Sequence, residues 1–341
     1  MTSTQAHKSG ATSISPQRPR VAVEAVAGFT AGLLNTLVVH PLDLIKTRLQ
    51  VNRNTTPTKL GASLALIGDI ARNEAVPGAG SEVGNKLRAL YRGLTPNVLG
   101  NTAGWALYFM WYGEFKSLLA AYRGGPTELG STDYLLASGT AGTLSALFTN
   151  PIWVVKTRML STGRAHPNAY KSLSHGLVSL LQIEGPRGLF RGMVPALFGV
   201  THGAVHFTFY EKMKLWRLQQ LRQGTPQGGR KPSEKETDEL LLEGLEKSQL
   251  ETLTNWDYIS LSALSKITAG ALTYPYQVIR ARLQIYDAEQ EYKSARDVIA
   301  KIWRAEGGRG FYKGLGPNLA RVLPSTCITF LVYENTRYYL R

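Results

Sequence analysis

The chain has 341 residues, one cysteine, and a formal net charge of +15 from 39 Lys and Arg against 24 Asp and Glu. Cys327 alone excludes an intramolecular disulfide framework and a multi-cysteine metal site, and the excess of cations points to anionic partners: nucleic acid, anionic lipid or a negatively charged small molecule. A mean hydropathy of −0.13 does not separate two soluble domains from one membrane bundle.

Residues 1–20 carry Lys8, Arg18 and Arg20 but no acid, and they are Ser/Thr/Pro-rich without an apolar run. They resemble neither a secretory signal nor an amphipathic presequence and read as a disordered tail. Apolar segments follow. Residues 25–42, 93–113, 134–155 and 192–210 hold no Asp, Glu, Lys or Arg, while 258–279 and 314–333 hold one charge each. A hydrocarbon core of about 30 Å needs roughly 20 apolar residues as helix, so six spans are predicted. Polar connections join them in pairs, each with a short amphipathic helix predicted around 60–72, 171–182 and 292–304. The first connection is longer and contains the Gly-rich "PGAGSEVGN"; residues 220–254, charged and low in aromatics, read as a solvated insertion.

The paired segments repeat. "HPLDLIKTRLQ" from His40, "NPIWVVKTRML" from Asn150 and "YPYQVIRARLQ" from Tyr274 share Pro-x-x-x-x-(Lys/Arg)-x-Arg, with Pro41, Pro151 and Pro275 spaced 110 and 124 residues apart. A second marker follows each: "LYRG" with Tyr91, "EGPRGLFRG" from Glu184 and "EGGRGFYKG" from Glu306, each leading to Pro96, Pro195 or Pro317. A third closes each copy, "YGEFK" at Tyr112, "YEKMK" at Tyr210 and "YENTR" at Tyr333. Three markers in register define repeats over 21–122, 131–219 and 255–341.

Over nearly the whole chain after residue 20, this pattern resembles the mitochondrial carrier family. The family's Pro-x-(Asp/Glu)-x-x-(Lys/Arg) is matched in full by Pro41, Asp43 and Lys46; the other copies keep Lys156 and Arg280 but carry Trp153 and Gln277 in place of the acid. The resemblance implies an all-α membrane protein, a pseudo-threefold barrel of six tilted helices in the inner mitochondrial membrane. Both termini would face the intermembrane space, and a central substrate site would be exposed alternately to either side. The prolines, which remove a backbone donor, would bend the odd helices together into a matrix gate. Following the family's pairing, Asp43 is expected with Arg280, Lys46 opposite Trp153 and Lys156 opposite Gln277. On the cytoplasmic side, Tyr112, Lys116, Tyr210, Glu211, Lys214, Tyr333, Glu334 and Arg337 form the expected gate. Glu211 is expected with Arg337 and Glu334 with Lys116, which leaves Lys214 unmatched because Gly113 replaces the third acid. Solvated pairs are each worth about 0.2–1 kcal/mol, so the matrix gate is expected to be the weaker, unless packing at Trp153 and a hydrogen bond at Gln277 replace the lost pairs.

Substrate identity is expected where the repeats disagree. Nine residues before the odd-helix prolines stand Gly32, Gly142 and Lys266; seven after the glycine of the second marker stand Gly100, Gly199 and Arg321. Lys266 and Arg321 are also the isolated charges of spans five and six, and an intramembrane cation is a functional residue by default. Gly100, Gly199 and Arg321 match positions where the family contacts substrate, and Val200 adjoins them. Asn101, Trp105, Tyr108, Tyr112 and Lys116 are spaced 4, 3, 4 and 4, one helical face that suits either packing or a platform for planar rings. His202 and His206 lie one turn apart; with no carboxylate or cysteine at ligand spacing they read as hydrogen-bonding or packing residues, and no metal is expected.

Within the family, "PIWVVKTRM" is similar to the branch that carries FAD, folate, NAD and pyrimidine nucleotides. "TYPYQVIRARLQ", "FYKGLGPNLARVLPSTCITFLVYEN" and Lys266 are similar to the FAD and folate carriers more narrowly. The resemblance implies transport of FAD, as substrate and not as prosthetic group. Arg321 and Lys266 would bind its pyrophosphate, with Trp105 and Tyr108 near a ring, and Gly100 and Gly199 leaving room. Folate derivatives, NAD and pyrimidine nucleotides stay open by the same mechanism. A basic soluble nucleic-acid-binding protein would account for the charge, but its cations should cluster on exposed faces and not at repeat-related positions bounding uncharged spans. The sequence has no nucleotide-binding glycine loop between strand and helix and no nucleophile with a matched base, so enzymatic activity has little support. The expected partners are the anionic substrate and anionic inner-membrane lipid, without nucleic acid; a chain that closes its own barrel is expected to work as a monomer.

Overall fold

The computed structural model describes residues 18–53, 62–74, 81–125, 129–164, 166–223 and 253–339. The expected tail 1–20 and insertion 220–254 lie mostly outside these; the overlap is helical at 18–20 and 220–223, since the first helix starts at Arg18 and the eighth reaches Gln223, and non-helical at 253–254, where Thr254 precedes the ninth helix. No strand occurs among the described residues.

Repeat 1 consists of α1 (Arg18–Val51), α2 (Ala62–Asn73), α3 (Glu82–Leu90) and α4 (Leu94–Arg123). Repeat 2 consists of α5 (Ser131–Ser161), α6 (Leu173–Leu189), α7 (Met193–Leu197) and α8 (Gly199–Gln223). Repeat 3 runs through α9 (Asn255–Leu272), α10 (Tyr274–Leu283), α11 (Ala288–Glu291), α12 (Ala295–Glu306), the 3-10 turn Gly308–Tyr312, α13 (Leu315–Ala320) and α14 (Val322–Tyr339). Pro41 and Pro151 sit inside continuous helices, whereas the third odd helix divides at Thr273, and Pro275 opens its second half. There the missing donor costs nothing, because the first turn of a helix has no intrahelical partner for it. The even helices differ likewise: α4 runs through Gly100, while the second and third divide at Phe198 and Arg321. Three connection helices lie where expected, two of them started by serine N-caps, Ser172 accepting from His175 N at 3.1 Å and Ser294 from Asp297 N at 3.3 Å. The longer first connection adds α3.

The long helices pack in a closed ring in chain order: α1 on α4, α4 on α5, α5 on α7 and α8, α8 on α9, α9 on α14, and α14 back on α1. Three apolar cores sit at the proline end, each built on the end of an odd helix and its connection helix, the first joined by Ala89 of α3 and Leu160 of the next odd helix. They are Leu44, Ile70, Ala89 and Leu160; Val154, Val155, Met159, Tyr170 and Leu180; and Tyr274, Val278, Ile285, Val298 and Ile302 with their neighbours.

Two sets of side chains tie this end together with threefold regularity. The residue before each proline reaches the backbone that opens the next even helix: His40 Nε2 lies 3.0 Å from Arg92 O, Asn150 Nδ2 donates to Leu189 O at 2.7 Å, and Tyr274 Oη to Lys313 O at 3.0 Å. The last arginine of each "Pro-x-x-x-x-(Lys/Arg)-x-Arg" does two things. Its guanidinium pairs with a glutamate at or near the end of the connection helix, Arg48 with Glu74, Arg158 with Glu184 and Arg282 with Glu306, at 2.5, 2.5 and 2.6 Å. Its Nε donates to a carbonyl at the end of the following repeat's odd helix: Leu160 from Arg48, Gln284 from Arg158 and Gln50 from Arg282, each at 3.1 Å. The three repeats are thus stitched head to tail. Turning the chain after Glu184 and Glu306 needs Gly185 at φ 66° and Gly307 at φ 64°, with ψ near −165°, a conformation essentially reserved to glycine.

Outside the ring, large apolar side chains are exposed over most of its height, among them Leu136, Phe148, Val194, Phe207, Leu264 and Leu331. Exposed large apolar side chains in such number mark a molecule that meets an apolar environment. By length and mean hydropathy alone, one segment among the described residues, Val26–Val51, qualifies as a membrane crossing. The other ring helices spend one face on polar residues directed inward, Asn101, His202, His206 and Lys266 among them, which lowers their average.

Candidate functional site

Within the ring a cavity of about 480 Å³ is lined by α1, α4, α8, α9 and α14. Asn101 and Trp105 on α4, His202 and His206 on α8, Lys266 on α9, and Arg321 at the break between α13 and α14 all reach it, with Asp43 and Gln277 at its floor. Lys266 Nζ lies 3.4 Å from Thr326 Oγ1 and has no carboxylate partner among the described residues. The Thr273 hydroxyl donates to Ala269 O, so His202 Nδ1–H, 2.8 Å from Thr273 Oγ1, is the donor and its Nε2 is left as an acceptor. His206 Nε2 is buried with no hydrogen-bond partner. Trp105 is 63% exposed, stacks on Phe109 at 5.7 Å and meets Tyr108 edge-on at 6.0 Å. Tyr108 is not on the cavity wall; it continues the stripe by stacking on Tyr112. Among the described residues no group of His, Cys, Asp or Glu has metal-ligand geometry.

Gly100 and Gly199 do not leave room for a ligand. A Cβ at Gly100 would stand 3.5 Å from the Trp153 ring and 3.3 Å from Ile152 Cγ2, and one at Gly199 would stand 3.3 Å from Tyr276 Oη. Each glycine seats an aromatic ring from the next odd helix. At the third such contact Arg321 meets Asp43 in an ion pair. Similar contacts are therefore made in three chemistries, glycine on tryptophan, glycine on tyrosine and arginine on aspartate, although Tyr276 stands one residue before Gln277, the position equivalent to Trp153 and Asp43. The Val200 side chain lies outside the described residues.

The gate pairing departs from expectation. Asp43 pairs with Arg321, not Arg280. Asp43 also accepts from Asn97 Nδ2 at 3.3 Å, and Asn97 accepts from Asn101 at 3.2 Å, so a polar chain runs from cavity wall to gate. Lys46 donates to Gln277 Oε1 at 2.9 Å instead of facing Trp153. Lys156 lies over the Trp153 ring at 4.5 Å, not against Gln277, and Arg280 shares that ring at 5.7 Å. Lys46 and Arg280 thus meet the neighbouring repeat on the side opposite to the one assumed, while Lys156 rests on Trp153 of its own helix. At the far end Lys214 is not unmatched: it lies 3.6 Å from Glu211 on its own helix. Lys116 and Glu334 are both exposed and make no ion pair with each other. The Arg337 side chain lies outside the described residues. Tyr210 tilts against His206 at 6.5 Å.

The glutamates that answer the gate-proximal arginines were missed from sequence. The signal was present, since Glu184 and Glu306 open the second marker 26 and 24 residues beyond Arg158 and Arg282, and Glu74 stands 26 beyond Arg48.

Comparison with known proteins follows the same repeat. The chain is 37% identical over 328 residues, 93% of its length and 96% of the relative's, to a Saccharomyces cerevisiae protein named as a mitochondrial FAD carrier. It is 38% identical over 318 residues to an Arabidopsis thaliana chloroplastic folate transporter, covering 91% and 93% of the two chains. A mitochondrial nicotinamide adenine dinucleotide transporter of Arabidopsis thaliana is 34% identical over 323 residues, with 92% and 78% covered. The family described as Mitochondrial carrier protein matches residues 17–123, 127–220 and 251–341, and the chain belongs to that family of transporters.

Proposed function

We propose that this carrier moves FAD across the inner mitochondrial membrane by alternating access, with six spans built from α1, α4, α5, α7–α8, α9–α10 and α13–α14. Three repeats, over 21–122, 131–219 and 255–341, form the barrel, the termini face the intermembrane space, and the ring closed within one chain supports a monomer in anionic lipid. The observation that carries the substrate reading is the cavity's distribution of chemistry: Lys266 and Arg321 stand on one side, Asn101 and Trp105 on another. FAD offers a pyrophosphate for the cations and two ring systems for stacking, each stacked ring contributing about 1–3 kcal/mol. The relative named for FAD supports this choice.

The engaged contacts at the proline end, with Lys116 and Glu334 apart at the other, support a state closed to the matrix. Transport then requires the Asp43–Arg321 contact to exchange for contacts with the anion, since a buried cation at membrane depth must be paired or wetted.

Uptake of labelled FAD by liposomes holding the purified chain, competed with tetrahydrofolate, NAD and UTP, tests the assignment. Saturable uptake inhibited best by unlabelled FAD is expected. Transport of a competitor in preference to FAD would reassign the substrate within the same fold.

A further inference from the structure

Beneath the cavity, the gate encloses a second space of about 340 Å³ lined by Lys46, Lys156, Arg280 and Arg321, with Asp43 as its one carboxylate. Four cations against one carboxylate leave three positive charges uncompensated. Asp43 is engaged by Arg321. Lys46 bonds to the neutral Gln277 amide at 2.9 Å and lies 5.8 Å from the Tyr274 ring. Lys156 and Arg280 share one ring, Trp153, at 4.5 and 5.7 Å, and Arg280 Nε is buried without a hydrogen-bond partner. A ring quadrupole attracts cations but carries no net charge, and like charges enclosed together repel more strongly the less water they share. Trp153 and Gln277 occupy the positions at which repeat 1 has its acid. A mobile anion can supply the missing negative charge.

We infer that the gate layer is an oxyanion site, in which a phosphate or pyrophosphate group bridges Lys46, Lys156 and Arg280 and takes the place of the carboxylates lacking at 153 and 277. The planar guanidinium of Arg280 and the two lysine point charges suit phosphate oxygens, and bonds between charged partners are the strong ones. The anion has two sources. It is either free inorganic anion or the phosphate of the transported molecule, which has a path downward because Asp43, Asn101, His202, Gln277 and Arg321 line both spaces. The inference rests on the charge of the layer and not on FAD as substrate.

The test is the Tm of the purified full chain in detergent, titrated with inorganic pyrophosphate against gluconate at matched ionic strength, and separately with FAD and with riboflavin. A ligand that binds the folded chain raises Tm saturably by mass action. Expected is a pyrophosphate-dependent rise with an apparent Kd weakened roughly tenfold in Arg280→Gln, the factor implied by one lost charge-assisted bond. In Gln277→Glu, which supplies a carboxylate beside Lys46, the rise should shrink; should that variant not fold, Arg280→Gln carries the test. A rise with FAD but with neither pyrophosphate nor riboflavin, again weakened by Arg280→Gln, identifies the transported molecule as the source. A Tm indifferent to both phosphate compounds, or a rise unaffected by Arg280→Gln, overturns the site. A chain stabilised by pyrophosphate that does not transport FAD keeps the site and loses the substrate.

Discussion

Asp43 links the two levels of the interior. It pairs with Arg321 from the cavity wall and accepts from Asn97, which in turn accepts from Asn101. Arg321 and Asp43 are 34% and 14% exposed, so the pair is neither a freely solvated bridge nor a dry one. A double-mutant cycle of Arg321→Ala and Asp43→Ala, read as Tm, is expected to give a coupling of about 0.5–3 kcal/mol. Additive effects would mean the two do not act on each other. Gly100 gives a second test, because Ile152 and Trp153 already lie at contact distance from the Cβ it lacks. Gly100→Leu should destabilise by about 1–3 kcal/mol through overpacking, and a Tm equal to wild type would contradict that packing. At this scale the sequence was half legible. Lys266, Arg321, Asn101, Trp105, His202 and His206 stand out from repeat mismatches and helical spacing, and all reach the cavity. The partners of Lys46 and Arg280 do not stand out, because partner choice in a ring depends on its rotational sense, and Asp43 finds its partner, Arg321, on the cavity wall outside that ring. Gly100 and Gly199 were misread for a related reason: a glycine states that something approaches, not what.

The helical elements owe their junctions to buried ion pairs at the proline end. Arg282 and Glu306 are 2% and 4% exposed, and Lys313 adds a second cation 2.6 Å from the carboxylate. Burial pushes the Glu306 carboxyl up, but hydrogen bonds from Arg282 and Lys313 outweigh it and hold the group below its ordinary value of 4.5. A carboxylate held low in the folded chain stabilises above its unfolded value and loses that contribution as pH falls through the folded one. Glu306→Gln should therefore cost about 3–5 kcal/mol at neutral pH, the penalty for stranding a buried partner, and the gap to wild type in Tm should narrow below about pH 4.5. A gap independent of pH would remove Glu306 from that role. Elements were largely legible. Uncharged runs and the marker period located the long helices, and the amphipathic stretches of the polar connections located the connection helices. The breaks at Thr273, Phe198 and Arg321 were not legible, since repeat 1 runs through the equivalent stretches as continuous helix with a similar apolar pattern.

For the molecule as a whole, each repeat offers an arginine to the next repeat and receives one from the last, so stability at the proline end is shared by all three. The other end is tied less fully, by Arg123 to Asp133 at 3.1 Å between repeats 1 and 2 and by Arg217 to Asp257 at 2.9 Å between repeats 2 and 3, and its Lys116 and Glu334 are exposed and not paired with each other. That asymmetry suits a proposed cycle in which an anion entering the cavity competes with Asp43 for Arg321. The threefold order was legible from nine matching markers; the direction in which the repeats lock together was not. The central claim is that a flavin dinucleotide is carried and that Arg321 and Lys266 bind its phosphates. Initial rates of labelled FAD uptake into liposomes should be compared for wild type, Arg321→Ala and Lys266→Ala, each verified as folded by its Tm. The proposal predicts saturable uptake by wild type and at least about a tenfold loss in each variant, as expected for one lost bond between charged groups. Uptake in either variant at the wild-type rate, or no FAD uptake by the wild type, would contradict it.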